Sequence, residues 1–309
     1  MPTVSVIMNC YNGEKFLREA IDSVYAQTYK DWEIVLWDDA STDGTERIAR
    51  SYDDKLRYFR GEKSPGLGHA RNLALRQARG EFLAFLDQDD LWLPSKLEKQ
   101  VPLFEAPEVG LVFSDSIFFD SAGKEERLYG KLKYHFGECF ADLLRGNFLS
   151  IETVVIRRSA LDALDSWFDP GFNLCEEYDL FMRIAYKWKI AVVDQPLARW
   201  RMHSSSLTWK SQERGVEERN LILSKFRKIF PGFSEEYARE ISIYTEFSSI
   251  FKAKNSWKSR GAGEARRILI PIMFKNRKAF AWFFLTFFSP ETVSYVTSKL
   301  IRRGAVYPV

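Results

Sequence analysis

Cysteine is scarce: the 309 residues contain three, Cys10, Cys139 and Cys175, spaced far apart. That spacing offers no disulfide framework and no zinc site, and it fits a reducing cytoplasm. Long hydrophobic runs are missing too, and nothing reaches the roughly 20 apolar residues of a membrane span. No secretory leader is expected, because the first apolar run, Val4–Met8, is short and leads straight into Asn9-Cys-Tyr-Asn-Gly13. Net charge is small, 45 Lys plus Arg against 42 Asp plus Glu. A generic nucleic-acid partner is therefore not expected. There is no internal repeat. The first turn lacks Gly-x-Gly-x-x-Gly, which argues against a dehydrogenase. What is present, 46% hydrophobic and 28% charged residues, is enough to build a sizeable core in one large domain or two modest ones.

The charge is unevenly spread. Residues 210–309 hold 19 basic and 9 acidic side chains, and residues 1–209 hold 26 and 33. An acidic first part suits a cationic or metal-bridged ligand, and a basic tail suits an anionic surface. The first part alternates strand and helix signals. Val4–Met8, Glu33–Trp37, Leu56–Phe59 and Glu81–Leu86 are predicted strands. Glu14–Gln27, Thr42–Ser51 and His69–Ala78 are predicted helices, the last behind the breaker cluster Ser64–Gly68. This predicts an α/β, doubly wound, mainly parallel sheet. Further helices are expected at Ser95–Phe104, Phe136–Arg145 and Tyr178–Trp188. Further strands are expected at Gly110–Phe119, Thr153–Arg157, Ile190–Val193 and Ala198–Met202. From about residue 210 the chain becomes helical, basic and aromatic, which divides it into domains 1–209 and 210–309.

The strongest chemical signal is Phe85-Leu-Asp-Gln-Asp-Asp90, three carboxylates where a buried strand ends. Crowded like charges repel, and a hard divalent cation, Mn²⁺ or Mg²⁺, relieves the repulsion. A solvated loop before the next helix is the plainer alternative. Asp38-Asp39 closes the second strand, with Ser41 or Thr42 as the expected helix cap. Such a carboxylate can also accept from a base N–H or a sugar hydroxyl. Gly66-Leu-Gly-His-Ala-Arg-Asn72 places glycines at a helix start with Arg71 one turn in, an arrangement that suits phosphate or merely begins a helix.

Together these pieces resemble the family 2 glycosyltransferases of the GT-A fold. The likeness runs through Val4–Gly13, Trp37–Gly44, Ala70–Asn72 and Phe85–Pro94. It continues to Cys175-Glu-Glu-Tyr-Asp-Leu-Phe-Met-Arg183 and Arg201-Met-His203, and so covers about residues 3–208. The resemblance implies a GT-A domain at 1–209, followed by the helical region. It implies an inverting transferase of hexosyltransferase type that uses a nucleotide-sugar donor and an acceptor hydroxyl on a glycan or lipid-linked saccharide. Bacterial surface-polysaccharide synthesis is the common setting. By position, Tyr11 and Asp39 would hold the nucleoside, with Asp39 on a uracil edge. Arg71 would face the diphosphate, Asp87 the ribose or metal, and Asp89 the metal. His203 would approach the diphosphate or metal.

The general base is expected in Glu176-Glu177-Tyr-Asp179. The family usually has Glu-Asp here, and this chain has Glu177 at the second position, with Asp179 as the fallback. The plainer reading of these acids is a favourable helix N-terminus. Asn9-Cys10 stands where many members have Pro-Thr. Gln195-Pro-Leu-Ala-Arg-Trp200 resembles the Gln-x-x-Arg-Trp signature of processive synthases with one residue too many, so a non-processive enzyme is expected. The acceptor pocket would be built from loops such as Gly146–Ser150. In the tail, Ile268–Phe274 and Ala279–Phe288 are apolar clusters flanked by Arg266, Arg267, Lys275, Arg277, Lys278, Arg302 and Arg303. That mixture suits a peripheral membrane contact, at the inner face for a cytoplasmic enzyme. The alternative is packing on the catalytic domain or on a second subunit of a homo-oligomer. Two other functions stay open at this point. One is a nucleotide-sugar-binding protein with impaired catalysis. The other is a nucleotidyltransferase, although Asn9–Gly13 lacks the basic residue that class normally needs.

Overall fold

The structure is a computed structural model that describes residues 1–63, 66–130, 133–203, 212–290 and 293. Ser64 and Pro65, the end of the resemblance at 204–208, and Arg302 and Arg303 lie outside the described residues. The chain forms two compact units, residues 1–143 with 147–211, and residues 144–146 with 212–309.

In the first unit, β1 (Val4–Cys10) is buried at every position. It lies between two parallel neighbours, β2 (Trp32–Asp38) and β4 (Phe82–Phe85), and β3 (Leu56–Arg60) extends the sheet beyond β2. Strands covered on both faces read as unbroken apolar runs, which is why Val6–Met8 shows no alternation. On the far side of β4 come β8 (Val155–Arg157), β6 (Val109–Asp120), β9 (Lys189–Met202) and β5 (Leu91–Trp92); β7 (Glu125–Arg127) pairs with β6. The long ladders are parallel, including β6–β9, and the antiparallel pairings are short. This is the mainly parallel α/β sheet expected. Helix α1 (Leu17–Tyr25) buries Leu17, Ala20, Ile21 and Val24 against it. Those residues recur at the spacing of one helical face.

Several boundaries move for identifiable reasons. Helix α1 starts three residues late because the amides of Gly13 and Glu14 bond Thr45 Oγ1 and Asp43 Oδ2 of the neighbouring loop. Helix α2 is only Thr45–Ala49, and neither Ser41 nor Thr42 caps it; Asp43 Oδ1 accepts from the Thr45 amide at 3.0 Å. Ser41 Oγ instead accepts from Asn12 N at 2.9 Å. Helix α3 spans Leu67–Gln77 and α4 Lys96–Gln100. After α4 the chain tightens into a 3₁₀ turn at Val101–Glu105, since Pro102 has no N–H to continue the helix. Helix α5 covers only Phe140–Arg145. Just before it, Gly137 (φ 77°) is drawn into a two-bond bridge with Ile190. Helices α6 (Arg158–Asp162) and α7 (Glu176–Ala185) follow. The two expected late strands are one strand, β9. Pro196 sits where its register against β6 shifts at Asp115, a place that tolerates a residue without an N–H.

The second unit is helical: Gln212–Ile229, Phe233–Glu236, Ala238–Arg260, Ala262–Met273 and Arg277–Leu285. Ile250, Ala253, Trp257, Ala265, Leu269 and Ala279, from Ala238–Arg260, Ala262–Met273 and Arg277–Leu285, share its core. Asn276 caps the helix Arg277–Leu285, its Oδ1 accepting from Lys278 N and Ala279 N at 2.9 and 3.1 Å. Among the described residues no helix is long and apolar enough to cross a membrane.

Candidate active site

The parallel strands β2, β1 and β4 end on the same edge of the sheet. That edge is where open α/β sheets bind ligands, and it gathers Tyr11, Asp39 and Asp87. At the end of β2 the two adjacent acids have different environments. Asp38 is fully buried and tied down: Oδ1 accepts from Ser41 N at 2.8 Å and Oδ2 from Tyr58 OH at 2.6 Å. Asp39 is also buried, and its amide donates to Cys10 O at 2.8 Å. The turns after both strands contain left-handed residues, Asn12 (φ 51°) and Ala40 (φ 65°). Asn tolerates this conformation, whereas Ala is held there at a cost of about 1 kcal/mol. Asn12 Oδ1 accepts from Thr42 N at 2.9 Å, which stitches the two turns into one wall. Burial pushes the Cys10 thiol up to about 12, so this replacement of the usual threonine packs and is not a nucleophile.

Tyr11 is half-exposed beside that wall. Its backbone is fixed by Gln88, whose Oε1 accepts from Tyr11 N at 2.9 Å and whose Nε2 donates to Tyr11 O at 3.3 Å. Sequence reasoning passed over Gln88. Its position between two acids, Asp87 and Asp89, was the available signal: the acids turn to one task and the residue between them to another.

Asp89 meets His203, with Oδ2 and Nε2 2.8 Å apart. Burial and the charge of Asp87 raise the Asp89 carboxyl, and His203 opposes the shift. The end of β9 is strapped across this loop. Arg201 N donates to Asp90 Oδ1 at 2.9 Å, and Arg201 Nε donates to Asp89 O at 2.8 Å. The Arg201 guanidinium lies between the Phe16 and Phe119 rings, 4.5 and 4.7 Å from their centroids, and the Phe16 and His203 rings are 5.3 Å apart. Phe16 and Arg201 thus set the height of His203, and neither was foreseen in that role. Asp90 is buried behind the site, raised well above its ordinary value by burial and by Glu152. Lys96, also fully buried, bonds Gln100 Oε1 at 2.5 Å and is pushed down to about 7 by burial, with Glu152 opposing.

Arg71 joins this loop to α7. It is buried, and its guanidinium donates to Asp87 Oδ1 at 3.0 Å, to Glu177 Oε2 at 3.3 Å and to Glu176. Burial alone would weaken its hold on the proton; the charges of Asp87, Glu176 and Glu177 outweigh that and strengthen it. The expected phosphate-facing arginine is therefore enclosed by three carboxylates. The contact requires α3 and α7 to approach closely. A Cβ on Gly68 would stand 3.2 Å from Asp169 O and 3.5 Å from Glu176 Cβ. Asn72 fixes the intervening loop through both its donor and its acceptor to the Phe168 backbone.

Glu177 keeps a quarter of its side chain exposed. Burial and the charge of Glu176 push its carboxyl up to about 8, with Arg71 pulling the other way. Asp179, two residues on, faces the other side of the helix. It is fully buried and bonded by Arg183 at 2.7 and 3.0 Å, and Arg183 is itself anchored on the Ser166 and Trp167 carbonyls. The structure thus separates the two candidate bases into one reachable acid and one internal strut.

Among the described residues no group of three His, Cys, Asp or Glu side chains is placed to hold a metal ion. Asp89 with His203, and Asp87 close by, supply hard oxygen and imidazole donors. That set fits a divalent cation that takes its remaining ligands from phosphate and water.

Residues 5–165 match the profile of the family described as glycosyl transferase family 2. The chain is 29% identical over 273 residues to an uncharacterized glycosyltransferase of Rickettsia typhi, covering 82% of each chain. It is 29% identical over 208 residues to the UDP-Glc:alpha-D-GlcNAc-diphosphoundecaprenol beta-1,3-glucosyltransferase WfgD of Escherichia coli, covering 66% of this chain and 79% of that one. Among solved structures, S. aureus TarS superposes with a TM-score of 0.65 at 21% identity, over 99% of this chain and 93% of the crystallised one. A Pyrobaculum calidifontis mannosyltransferase crystallised with GDP-Man and Mn²⁺ superposes at 0.57 and 20% identity, over 92% and 84%. These structural likenesses establish the GT-A fold. With the profile spanning more than half of its residues, the chain belongs to glycosyl transferase family 2.

Proposed function

We propose that this glycosyltransferase moves a hexose from a nucleoside diphosphate sugar, with UDP as the nucleotide, to a hydroxyl of a saccharide or lipid-linked saccharide. It does so with inversion at the anomeric carbon and one sugar per encounter. The observation that carries the reading is the Arg71 bridge, which joins a strand-end acid of the nucleotide-binding edge, Asp87, to the partly exposed Glu177. One buried cation thereby holds the donor half and the acceptor half of the site in register.

Tyr11 presents its ring to the base, and Asp39 accepts from the base N–H. Asp87 receives the ribose, and Asp89 and His203 would hold Mn²⁺ or Mg²⁺. When bound, that cation neutralises charge on the departing diphosphate. Glu177 orients the acceptor hydroxyl and takes its proton. The new bond to the anomeric carbon forms on one face as the bond to the diphosphate breaks on the other. A carboxyl raised to about 8 is a stronger base than an ordinary glutamate, and only its ionised fraction takes the proton. Arg71 positions Glu177 and does not itself touch the sugar. The name of WfgD, with its UDP-glucose donor and diphosphoundecaprenol acceptor, supports UDP and a lipid-linked acceptor. So does the TarS crystal structure with UDP-GlcNAc. The fold likeness to the mannosyltransferase crystallised with GDP-Man makes GDP the alternative to test.

The test is nucleoside diphosphate release from UDP-glucose, UDP-GlcNAc, GDP-mannose and a dTDP-sugar, each with Mn²⁺ and a saccharide acceptor. Release of UDP from one UDP-sugar by wild type, lost in Glu177→Gln, is the expected result. Tight nucleotide binding without turnover would mean a binding protein and overturn the reading.

A further inference from the structure

The helical unit carries a surface that the transferase chemistry does not use. Phe274, Phe280, Phe284, Phe287 and Phe288 are all exposed, from 45% to 84%, as is Ile270. Large apolar side chains grouped in this way on a surface mark an interaction site. They are organised by the helix Arg277–Leu285. Ala279 and Thr286 face its buried side, and Phe280 and Phe284 face outward four residues apart. The turn after the helix continues the outward face, since Phe287 N and Phe288 N bond the Phe284 and Leu285 carbonyls. The Phe280, Phe284 and Phe287 rings form one patch, with centroids of Phe280 and Phe284 4.8 Å apart and those of Phe284 and Phe287 6.4 Å apart.

Cations lie beside the patch. The Arg266 guanidinium lies 4.3 Å from the Phe287 ring. From Arg266, Ile270 and Phe274 follow at four-residue intervals on the same helical stripe. Lys254 Nζ lies 4.2 Å from the ring of Trp282, on the helix Arg277–Leu285. Burial and the nearby charges of Lys278 and Lys258 hold the Lys254 ammonium below its ordinary range, so three lysines are gathered there. Residues 250–290 contain nine Lys and Arg and one acid, Glu264, which pairs with Arg267 at 2.9 Å.

We infer that this face docks on the surface of a bilayer containing anionic lipid, with the phenylalanines in the acyl boundary and the flanking Lys and Arg at the headgroups. Apolar centre and cationic margins are the order a bilayer interface selects. A nucleic-acid surface would put the cations at its centre. A two-fold contact with a second copy would set like charge against like charge. The inference is independent of the donor and base assignments. For an enzyme whose acceptor is lipid-linked, it would bring the site to the substrate.

The experiment is co-sedimentation of the full chain with vesicles of phosphatidylcholine alone and of phosphatidylcholine mixed with phosphatidylglycerol. The expected result is binding to the mixed vesicles only, weakened by salt. Arg277→Gln with Lys258→Gln and Lys278→Gln should weaken binding by about fivefold per charge removed. Phe280→Ser with Phe284→Ser and Phe288→Ser should weaken it by roughly tenfold or more, with circular dichroism unchanged. Should the phenylalanine variant unfold, the charge variant still decides, because its positions are exposed and polar. Equal binding to both vesicles, no binding to either, or a wild-type dimer that the serine variant dissociates would overturn the inference.

Discussion

In the α/β unit the decisive cations lie inside, each surrounded by groups that hold it. Arg71 is enclosed by Asp87, Glu176 and Glu177, Arg183 by Asp179 and two carbonyls, and Lys96 by Gln100, Thr153 and the Trp92 ring. In the helical unit Arg277 and Lys278 stand exposed on the helix that carries the exposed Phe280 and Phe284, and Arg266 lies over Phe287. The same side chains serve different ends. A buried, paired cation fixes geometry, because removing it strands acids in a poor dielectric. A surface cation leaves geometry to the helices and remains available to an outside anion.

The comparison is sharpest where one residue carries the chemistry. Glu177→Gln keeps the shape of the site and removes the proposed proton acceptor, so kcat should fall about a thousandfold while UDP affinity changes little. Steady-state kinetics beside calorimetry separates the two. The sign of the pH dependence follows from the raised carboxyl. Below about 8 Glu177 holds its proton and cannot accept another, so kcat/KM should climb with pH toward that value, and the climb should vanish in the Gln variant.

Arg71→Leu comes next. It leaves three carboxylates facing one another and should cost about 3 kcal/mol of stability, read as a lower urea midpoint. Arg71→Lys should keep part of the stability but less of the activity, because a point charge cannot bridge three acids as a planar fork does. Gln88→Ala frees the Tyr11 backbone and should weaken UDP binding by about tenfold, the worth of one or two hydrogen bonds. At the small end, Lys258→Gln on the helical unit should change stability by under about 0.5 kcal/mol. A large loss there would erase the contrast between the two units.

The local parts of this design were legible in the sequence. The unbroken apolar run of β1, the face of α1 and the acids at the end of β4 follow from neighbours a few residues apart. The parts that escaped are long-range. Arg71 meets Glu176 across 105 residues, and Arg201 straps a loop 112 residues before it. No periodicity encodes such pairings. Gln195-Pro196 read as a break, yet β9 runs through it, because the register shift against β6 needs no N–H from Pro196. The base pair of candidates was visible as Glu177 and Asp179. Which of them reaches the surface depended on Arg183, one turn beyond Asp179, taking Asp179 inward.

The edge bearing Asp39, Asp87, Asp89 and His203 is proposed as a metal-assisted nucleotide-sugar site. The most direct measurement is calorimetric titration of UDP, GDP and dTDP, each with and without Mn²⁺, into wild type and Asp89→Ala. UDP should bind tightest, Mn²⁺ should strengthen it, and Asp89→Ala should remove most of the metal-dependent gain, a loss of about 10- to 100-fold. Binding of UDP that ignores both the metal and Asp89 would contradict that proposal.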